Sequence, residues 1–238
     1  FSLLTADQVL GRDVAAVFNF LKFNYRLPDY EALLVSPHSS RPGLTSRIDR
    51  EIDHAKQGYR AMMTLKCNNL VDRQLTMKLY EASQAGVEIR LIVRGTCSLL
   101  PGVKGISENI EAISIIDRYL EHPRVYVFHN RGEPEYLLGS ADLMTRNIDY
   151  RVEVLCPITD AAVQGQLQDI LDQQWHDNVK ARVLDGEQSN RLRARGKATP
   201  TLQSQETIHR YLTSGKKPRM PRSLMKRASR RRRSPQVR

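Results

Sequence analysis

Cysteine, long apolar runs and glycine-rich phosphate loops are scarce or missing in this sequence of 238 residues. The three cysteines, Cys67, Cys97 and Cys156, stand far apart, with no Cys-x-x-Cys pair and no Cys/His spacing typical of a metal site. Such a sparse, odd set predicts free thiols and favours a cytoplasmic protein over a disulfide-bonded one. No apolar run approaches the roughly 18 residues of a transmembrane helix. No GxxxxGK-type loop occurs either, so a nucleotide would have to be held by side chains.

Acidic residues are absent from residues 215–238, which contain eleven Lys and Arg. The whole chain has 37 basic and 26 acidic residues, so residues 1–214 hold 26 of each, and the formal net charge of +11 resides in this tail. A block of like charge with Pro and Ser predicts a disordered tail that attracts polyanions. RNA, an anionic membrane surface and an inorganic polyanion all fit. The composition leaves open whether the tail has a dedicated partner or only improves solubility.

Hydrophobic periodicity predicts an α/β fold. Strand patterns at 32–36, 59–66 and 87–94 alternate with helical patterns at 45–57 and after Asn69. The order β-α-β-α-β predicts a parallel sheet with right-handed crossovers. The rhythm then breaks into short strands that are expected to extend the sheet in antiparallel fashion. These strands are predicted at 112–116, 124–128, 135–140 and 150–156. The expected fold is therefore a mixed sheet flanked by helices.

These patterns divide the chain into four parts. Residues 29–190 are expected to form the α/β domain. Residues 1–28 begin with neither Met nor a signal-peptide pattern and are interpreted as the end of a preceding domain. Residues 191–214 are a weaker appendage with a short helix around 208–212, and residues 215–238 are the basic tail. Helix N-caps are predicted at Thr5, Asn69 and Thr159.

Cations follow the first three predicted strands. Arg41 lies in the loop after the first strand, Lys66 ends the second and Arg94 ends the third. In open α/β sheets, ligands bind beyond the carboxyl ends of parallel strands, where free helix amides also attract anions. These three side chains therefore predict phosphate contacts at one edge of the sheet. The alternative for each is a structural ion pair with a carboxylate.

A histidine, His122, stands just before a predicted strand, in RYLEHPRVYVF at residues 118–128. An imidazole is a competent nucleophile in phosphoryl transfer, and a protonated one can neutralise charge or donate a proton. His122 is therefore the candidate catalytic residue, with Arg124 two residues later. The alternative is a solvated strand end without a chemical role.

The spacing from His122 to Gly139–Asp142 resembles that of phospholipase-D-type enzymes, in which an H-x-K motif precedes a G-S-x-N motif. Those enzymes need two such halves facing each other, and this sequence carries one. One interpretation is therefore a phosphodiesterase or nuclease that acts as a homodimer. Arg124 occupies the place of the expected lysine, which disfavours this interpretation.

A longer match is more specific. The run LKCNNLVDRQLTMKLYEASQAGVEIRLIVRGTCSLL, continuing to residue 128, and the segment GSADLMTRNIDYRVEV at 139–154 resemble bacterial polyphosphate kinase of the long, multi-domain, phosphohistidine type. The resemblance extends over about four-fifths of the chain, from Phe1 to about Asn190. It implies reversible transfer of the terminal phosphate of ATP to inorganic polyphosphate. It also places the chain in the C-terminal portion, with the second phospholipase-D-like domain.

The resemblance implies roles for two residues. Arg94, in LIVRG, matches an arginine that contacts the ATP phosphates, and His122, in YLEHPR, matches the family's second active-site histidine. The histidine that is phosphorylated belongs to an I-H-A-K type motif in the preceding domain, and that motif is absent here. The Mg²⁺ ligands are likewise expected outside these residues. We therefore expect the isolated chain to be an inactive fragment of a homo-oligomeric enzyme.

Two further arginines, Arg118 and Arg146, are candidates for contacts with phosphate or polyphosphate, and Arg151 lies near them in sequence. The alternative is that they form ion pairs with nearby carboxylates: Asp142, Asp149 and Glu153.

The remaining alternative for the whole protein is a non-enzymatic one that binds polyanions through the tail. The same tail could attach a cytoplasmic enzyme to an anionic membrane. The other histidines are expected to be structural or exposed: His38, His54, His129, His176 and His209.

Overall fold

The computed structural model describes residues 2–25, 27–196 and 199–216. Within these residues, eight strands form one sheet in the order β1-β7-β6-β5-β2-β3-β4-β8. The strands are β1 Leu34–Val35, β2 Met62–Cys67, β3 Glu88–Val93, β4 Ile110–Ile115, β5 Arg124–Phe128, β6 Glu135–Gly139, β7 Val154–Ile158 and β8 Ala181–Leu184. Strands β2, β3 and β4 run parallel, and the other neighbours pair antiparallel. The predicted mixed sheet is confirmed.

Helices cover both faces of the sheet. They are α1 Gln8–Lys22, α2 Ser40–Lys56, α3 Arg73–Gln84, α4 Ala161–Trp175 and α5 Ser204–Ser214, with a 3-10 turn at Asn130–Gly132 and a π-helical turn at Arg146–Tyr150. Successive strand residues face opposite layers, so Leu91 packs in the core under α2 and α3 while Ile92 packs under α4. Burial on both faces explains why the central strands are nearly continuous apolar runs.

One strand direction differs from the prediction. Strand β4 pairs parallel with β3, with Ile89 opposite Ile110, although it was expected to be antiparallel. The connection between the two strands contains turns instead of a helix. The sequence therefore shows no β-α-β pattern here, although the chain still crosses over to a parallel strand. The antiparallel expectation is confirmed for β5, β6 and β7.

Aspartates cap three of the helices, in place of the predicted Thr5, Asn69 and Thr159. Asp7 accepts the amides of Val9 and Leu10, and Asp72 accepts the amide of Leu75. Asp160 in the same way caps α4. Each predicted cap lies slightly too early in the chain. A carboxylate at this position satisfies the free amides and also interacts favourably with the positive end of the helix dipole.

The ends of the described chain pack against this domain. Helix α1 contacts the β1–β7 edge through Val17, and Asp13 accepts the amides of residues 31–33. Helix α5 agrees with the helix expected around 208–212, and Leu202 before it is buried. The disorder predicted for the basic tail concerns residues that, from 217 onward, lie outside the described residues.

Candidate functional site

Several predicted site residues meet at one edge of the sheet. Strands β2 and β3 both end there, followed by Asn68 and Arg94. Strand β5 runs antiparallel to β2, so its first residue, Arg124, lies at the same edge. Gly139 at the end of β6 is paired with Arg124, which brings the following residues to the site as well. Topology therefore gathers segments that are far apart in the sequence.

Asp142 is the centre of this arrangement. Its carboxylate accepts hydrogen bonds from Arg124 Nε at 3.0 Å and Nη2 at 3.1 Å, from the Asn68 amide at 2.8 Å and from Asn69 Nδ2 at 3.0 Å. Burial raises the pKa of Asp142, but the bonds from Arg124, Asn68 and Asn69 outweigh burial and hold it below its usual value. Asp142 is therefore a buried carboxylate that joins β2, β5 and the segment after β6.

Arg94 is held by a neutral side chain. Its Nε donates to Asn68 Oδ1 at 2.9 Å, and none of the ion pairs in the described part of the chain involves Arg94. Gly95 permits this packing, since a β-carbon there would lie 2.7 Å from Asn69 Oδ1 and 3.0 Å from the Asn68 carbonyl oxygen. The guanidinium is thus oriented without being neutralised.

His122 is exposed and contacts a second arginine. Arg124 Nη1 lies 2.8 Å from Nδ1 of His122 and donates to the His122 carbonyl oxygen at 2.9 Å. A guanidinium can only donate, so the imidazole nitrogen must accept in this contact. Arg124 thereby connects His122 to Asp142, and Asn68 connects Asp142 to Arg94. Arg94 and His122 are the two ends of one continuous hydrogen-bond network.

Arg41, by contrast, is fully engaged by carboxylates. Its guanidinium donates two hydrogen bonds to Asp72, at 2.9 and 2.8 Å, and two to Asp149, at 2.8 and 2.6 Å. These bonds raise the pKa of Arg41. Burial raises the pKa of Asp72, but Arg41, the Leu75 amide and Thr145 more than offset this and lower it to about 2. The contacts favour the structural alternative for Arg41.

Lys66 is also paired, whereas Arg118, Arg146 and Arg151 form no ion pair with the described residues. Lys66 Nζ lies 2.7 Å from Glu121 Oε2 in a largely buried ion pair. Arg118 and Arg146 are exposed, and among the described residues neither they nor Arg151 forms an ion pair. The carboxylates considered as their partners are engaged elsewhere: Asp142 by Arg124, Asp149 by Arg41 and Glu153 by Asn147.

Comparison with known proteins places the chain in a family. The family model described as "Polyphosphate kinase C-terminal domain 2" matches residues 33–205. The chain belongs to the polyphosphate kinase family. The predicted resemblance is therefore confirmed, and it rests on a match that includes every segment of the edge just described.

Individual polyphosphate kinases are similar over most of the chain. The enzyme of Vibrio vulnificus is 52% identical over 91% of this chain, and that of Escherichia coli K12 is 49% identical over 92%. The crystal structure of the Porphyromonas gingivalis polyphosphate kinase superposes with a TM-score of 0.85 at 38% identity, over 89% of this chain. The chain spans only 31 to 32% of the length of these relatives.

Sequence reasoning named Arg124 and Asp142 but missed their roles. Both stand where the phospholipase-D pattern has other residues, with Arg124 in the place of the lysine and Asp142 in that of the asparagine. The available signal was that lysine and asparagine are replaced together by arginine and aspartate, which can form a salt bridge. Asn68 carried no signal of its own, because its function depends on the neighbouring strand.

The described residues show no preformed Mg²⁺ site. They contain no group of three or more His, Cys, Asp or Glu side chains arranged to hold a metal ion. The carboxylates at the edge also form ion pairs with arginine and lysine side chains.

Of the helices in the described ranges, none combines the length and apolar character needed to cross a membrane.

Proposed function

We propose that this chain provides one wall of the active site of an ATP:polyphosphate phosphotransferase. The observation that carries the proposal is the position of Arg94 and His122 at the two ends of one network, with Arg94 held by the neutral Asn68. A cation that is fixed in place and not neutralised is suited to binding phosphate oxygens. Membership of the polyphosphate kinase family supports the same assignment.

In the proposed reaction, Arg94 and His122 stabilise charge, and His122 can also transfer a proton. The terminal phosphoryl group of ATP passes to a histidine nitrogen outside this chain, with cleavage of the P–O bond to ADP and formation of a P–N bond. Arg94 contacts the ATP phosphates and offsets the charge that develops on the transferring group. His122 stabilises charge or donates a proton to the leaving oxygen. A second transfer, from the phosphohistidine to the end of a polyphosphate chain, completes the cycle, and all steps are reversible.

The remaining predicted contacts divide by their partners. Arg118 and Arg146 are exposed and without ion pairs among the described residues, so they are the better candidates for polyphosphate contacts. Arg41 and Lys66 are ion-paired and are weaker candidates. Mg²⁺ would be bound by ligands outside this chain. A cytoplasmic, homo-oligomeric complete enzyme and an inactive isolated chain belong to the same proposal.

No contact in the described residues favours either of the two alternatives, a homodimeric phosphodiesterase or a protein that binds polyanions through its tail. A homodimeric phosphodiesterase needs a free lysine after its histidine, whereas Arg124 is buried against Asp142. Polyanion binding through the tail concerns residues that, from 217 onward, lie outside the described ranges.

The proposal is tested in a chimera, in which this chain replaces the matching segment of the Vibrio vulnificus polyphosphate kinase. His122→Ala is expected to lower ATP-dependent polyphosphate synthesis about 100-fold or more, as loss of a general acid does. The matched control is His54→Ala, which removes a histidine from the last turn of α2, at the opposite edge of the sheet. Unimpaired synthesis by His122→Ala would remove His122 from the active site.

A further inference from the structure

The loop that carries His122, residues 116–123, is held from behind by helices α4 and α5. We propose that Gln205, at the start of α5, is a positioning residue for His122 and that α5 thereby belongs to the catalytic unit. This inference rests on the function proposed above. It concerns residues 203–205, at the limit of the matched family model, in the segment that sequence analysis treated as a weak appendage.

Gln205 binds the loop backbone as a neighbouring strand would. Its Oε1 accepts the amide of Tyr119 at 2.8 Å, and its Nε2 donates to the Tyr119 carbonyl oxygen at 2.8 Å. The same Nε2 lies 3.1 Å from Glu121 Oε1. Gln205 is only 7% exposed. One buried side-chain amide therefore satisfies both backbone groups of Tyr119 and reaches the residue that precedes His122.

Two acidic residues of the loop provide further anchors. Glu121 accepts Lys66 Nζ at 2.7 Å and also accepts Gln174 Nε2 from α4. Asp117 accepts Gln203 Nε2 at 2.7 Å. The ion pair of Lys66 thus has a purpose in the site that does not require contact with phosphate: it holds the carboxylate adjacent to His122.

These anchors determine which side of the loop faces outward. The anchored side chains, Asp117 and Glu121, point back toward the helices, while Arg118 and His122 are exposed. Arg118 and His122 are also the two residues of this loop that are predicted to contact phosphate groups. A change in the backbone at Tyr119 would therefore move both of them.

Helix α5 is itself firmly attached, as a support must be. Asp177, which is fully buried, accepts the Ser204 amide at 2.7 Å and also the amides of residues 179–181. Leu202 is buried beside it. Three consecutive residues, 203–205, thus connect a fixed point in the domain to the loop.

The first test measures the loop directly in this chain. Gln205→Met keeps the volume of the side chain and removes its hydrogen bonds. Amide hydrogen exchange at Tyr119 is expected to become at least about 10-fold faster, because this amide loses its acceptor, Gln205 Oε1. Gln168→Met is the control: it removes two side-chain hydrogen bonds, to Tyr136 and Asp172, against three in Gln205→Met, and neither of the two is to the loop. Unchanged exchange in Gln205→Met would overturn the inference.

The second test asks whether Gln205 acts through His122. In the Vibrio vulnificus chimera, Gln205→Met is expected to lower polyphosphate synthesis about 10-fold, and to have a clearly smaller effect, through Arg118 alone, when His122 is already alanine. Equal fold-losses in both backgrounds would show a general structural effect and overturn the inference. If His122→Ala alone does not impair synthesis, the proposed function fails, whereas the exchange experiment still reports separately on the loop.

A third variant, Gln203→Met, tests the inference if Gln205→Met does not fold. Gln203→Met weakens the anchor at Asp117, which Lys180 Nζ also contacts at 3.7 Å, and its unfolding midpoint can be compared with that of Gln168→Met. The inference requires faster exchange of the loop in this variant as well. Unchanged exchange in a folded Gln203→Met protein would contradict it.

Discussion

Two corners of the same sheet edge use arginine in opposite ways. In the Arg41 corner, made of Arg41, Asp72 and Asp149, one guanidinium is surrounded by two carboxylates. In the Arg94 corner, made of Arg94, Asn68, Asp142 and Arg124, the guanidinium of Arg94 is held by the neutral side-chain amide of Asn68, and the carboxylate of Asp142 is paired with Arg124. Both arginines follow a strand, so position alone does not separate them.

The partners separate them through net charge. Counting formal charges, the Arg41 corner carries one positive and two negative charges, so it repels a phosphate. In the Arg94 corner the pair of Arg124 and Asp142 cancels, and the charge of Arg94 is left over. A phosphate site thus requires a cation that is held in place by neutral groups, so that its charge is not neutralised by a carboxylate. The Arg41 corner is expected to stabilise the fold, and the Arg94 corner to bind ligand.

The largest expected effect breaks the Arg41 corner. Arg41→Gln leaves Asp72, which is 2% exposed, as an unpaired buried carboxylate, and this should lower the free energy of unfolding by about 3 to 5 kcal/mol. Arg94→Gln loses one hydrogen bond, from a half-buried guanidinium to a neutral amide, and should cost about 1.5 kcal/mol or less. Urea denaturation of the two variants makes the comparison. Similar losses in both would contradict the distinction between the corners.

For ATP binding we expect the opposite order: replacing Arg94 should have a larger effect than replacing Arg41. Arg94→Gln in the Vibrio vulnificus chimera should weaken ATP binding by about 1.5 to 3 kcal/mol, roughly 10- to 150-fold, because a charged hydrogen bond to phosphate is lost. Arg41→Gln, assayed at a temperature where it remains folded, should bind ATP as the parent does. Isothermal titration calorimetry measures both. Equal ATP affinity of Arg94→Gln and the parent chimera would exclude Arg94 from the nucleotide site.

Acid should weaken the Arg41 corner selectively. The pKa of Asp72 is lowered to about 2 in the folded protein from its ordinary 3.8, so the folded state favours the ionised form. The resulting stabilisation is present above about pH 4 and is lost as the pH falls toward 2, and it amounts to roughly 2 kcal/mol. Asp72→Asn should be less stable at neutral pH and should lose less stability over this interval. A parallel pH dependence in the variant and the parent would argue against a role for Asp72.

Much of the fold could be predicted because it depends on local patterns. The apolar runs of β2 and β3 and the helical spacing in α3 predict their elements within a few residues. Strand β4 was assigned the wrong direction, since direction depends on a crossover whose loop has no periodic pattern. The caps were displaced for a related reason: several polar residues stand before each helix, and only the geometry selects the aspartate.

The site was less predictable because partners are non-local. The sequence indicates that Arg94 and Lys66 both end strands, yet one contacts Asn68 and the other contacts Glu121, 55 residues away. No spacing rule links Gln205 to Tyr119, which is 86 residues distant. Candidate residues could be named from position and chemistry, but whether a cation is neutralised or available depends on tertiary contacts.

The smallest expected effect separates ion pairing from burial. Arg12 and Glu31 also form an ion pair, at 3.2 Å, but their side chains are 65% and 68% exposed. Water screens such a pair, so Arg12→Gln should change the free energy of unfolding by less than about 0.5 kcal/mol. The same chemical change at Arg41 is expected to cost several times more, and urea denaturation under identical conditions gives the ratio. If the two arginines cost the same to replace, the stabilising effect of the Arg41 corner cannot come from the burial of its carboxylates. Its contrast with the Arg94 corner would then lose its physical basis.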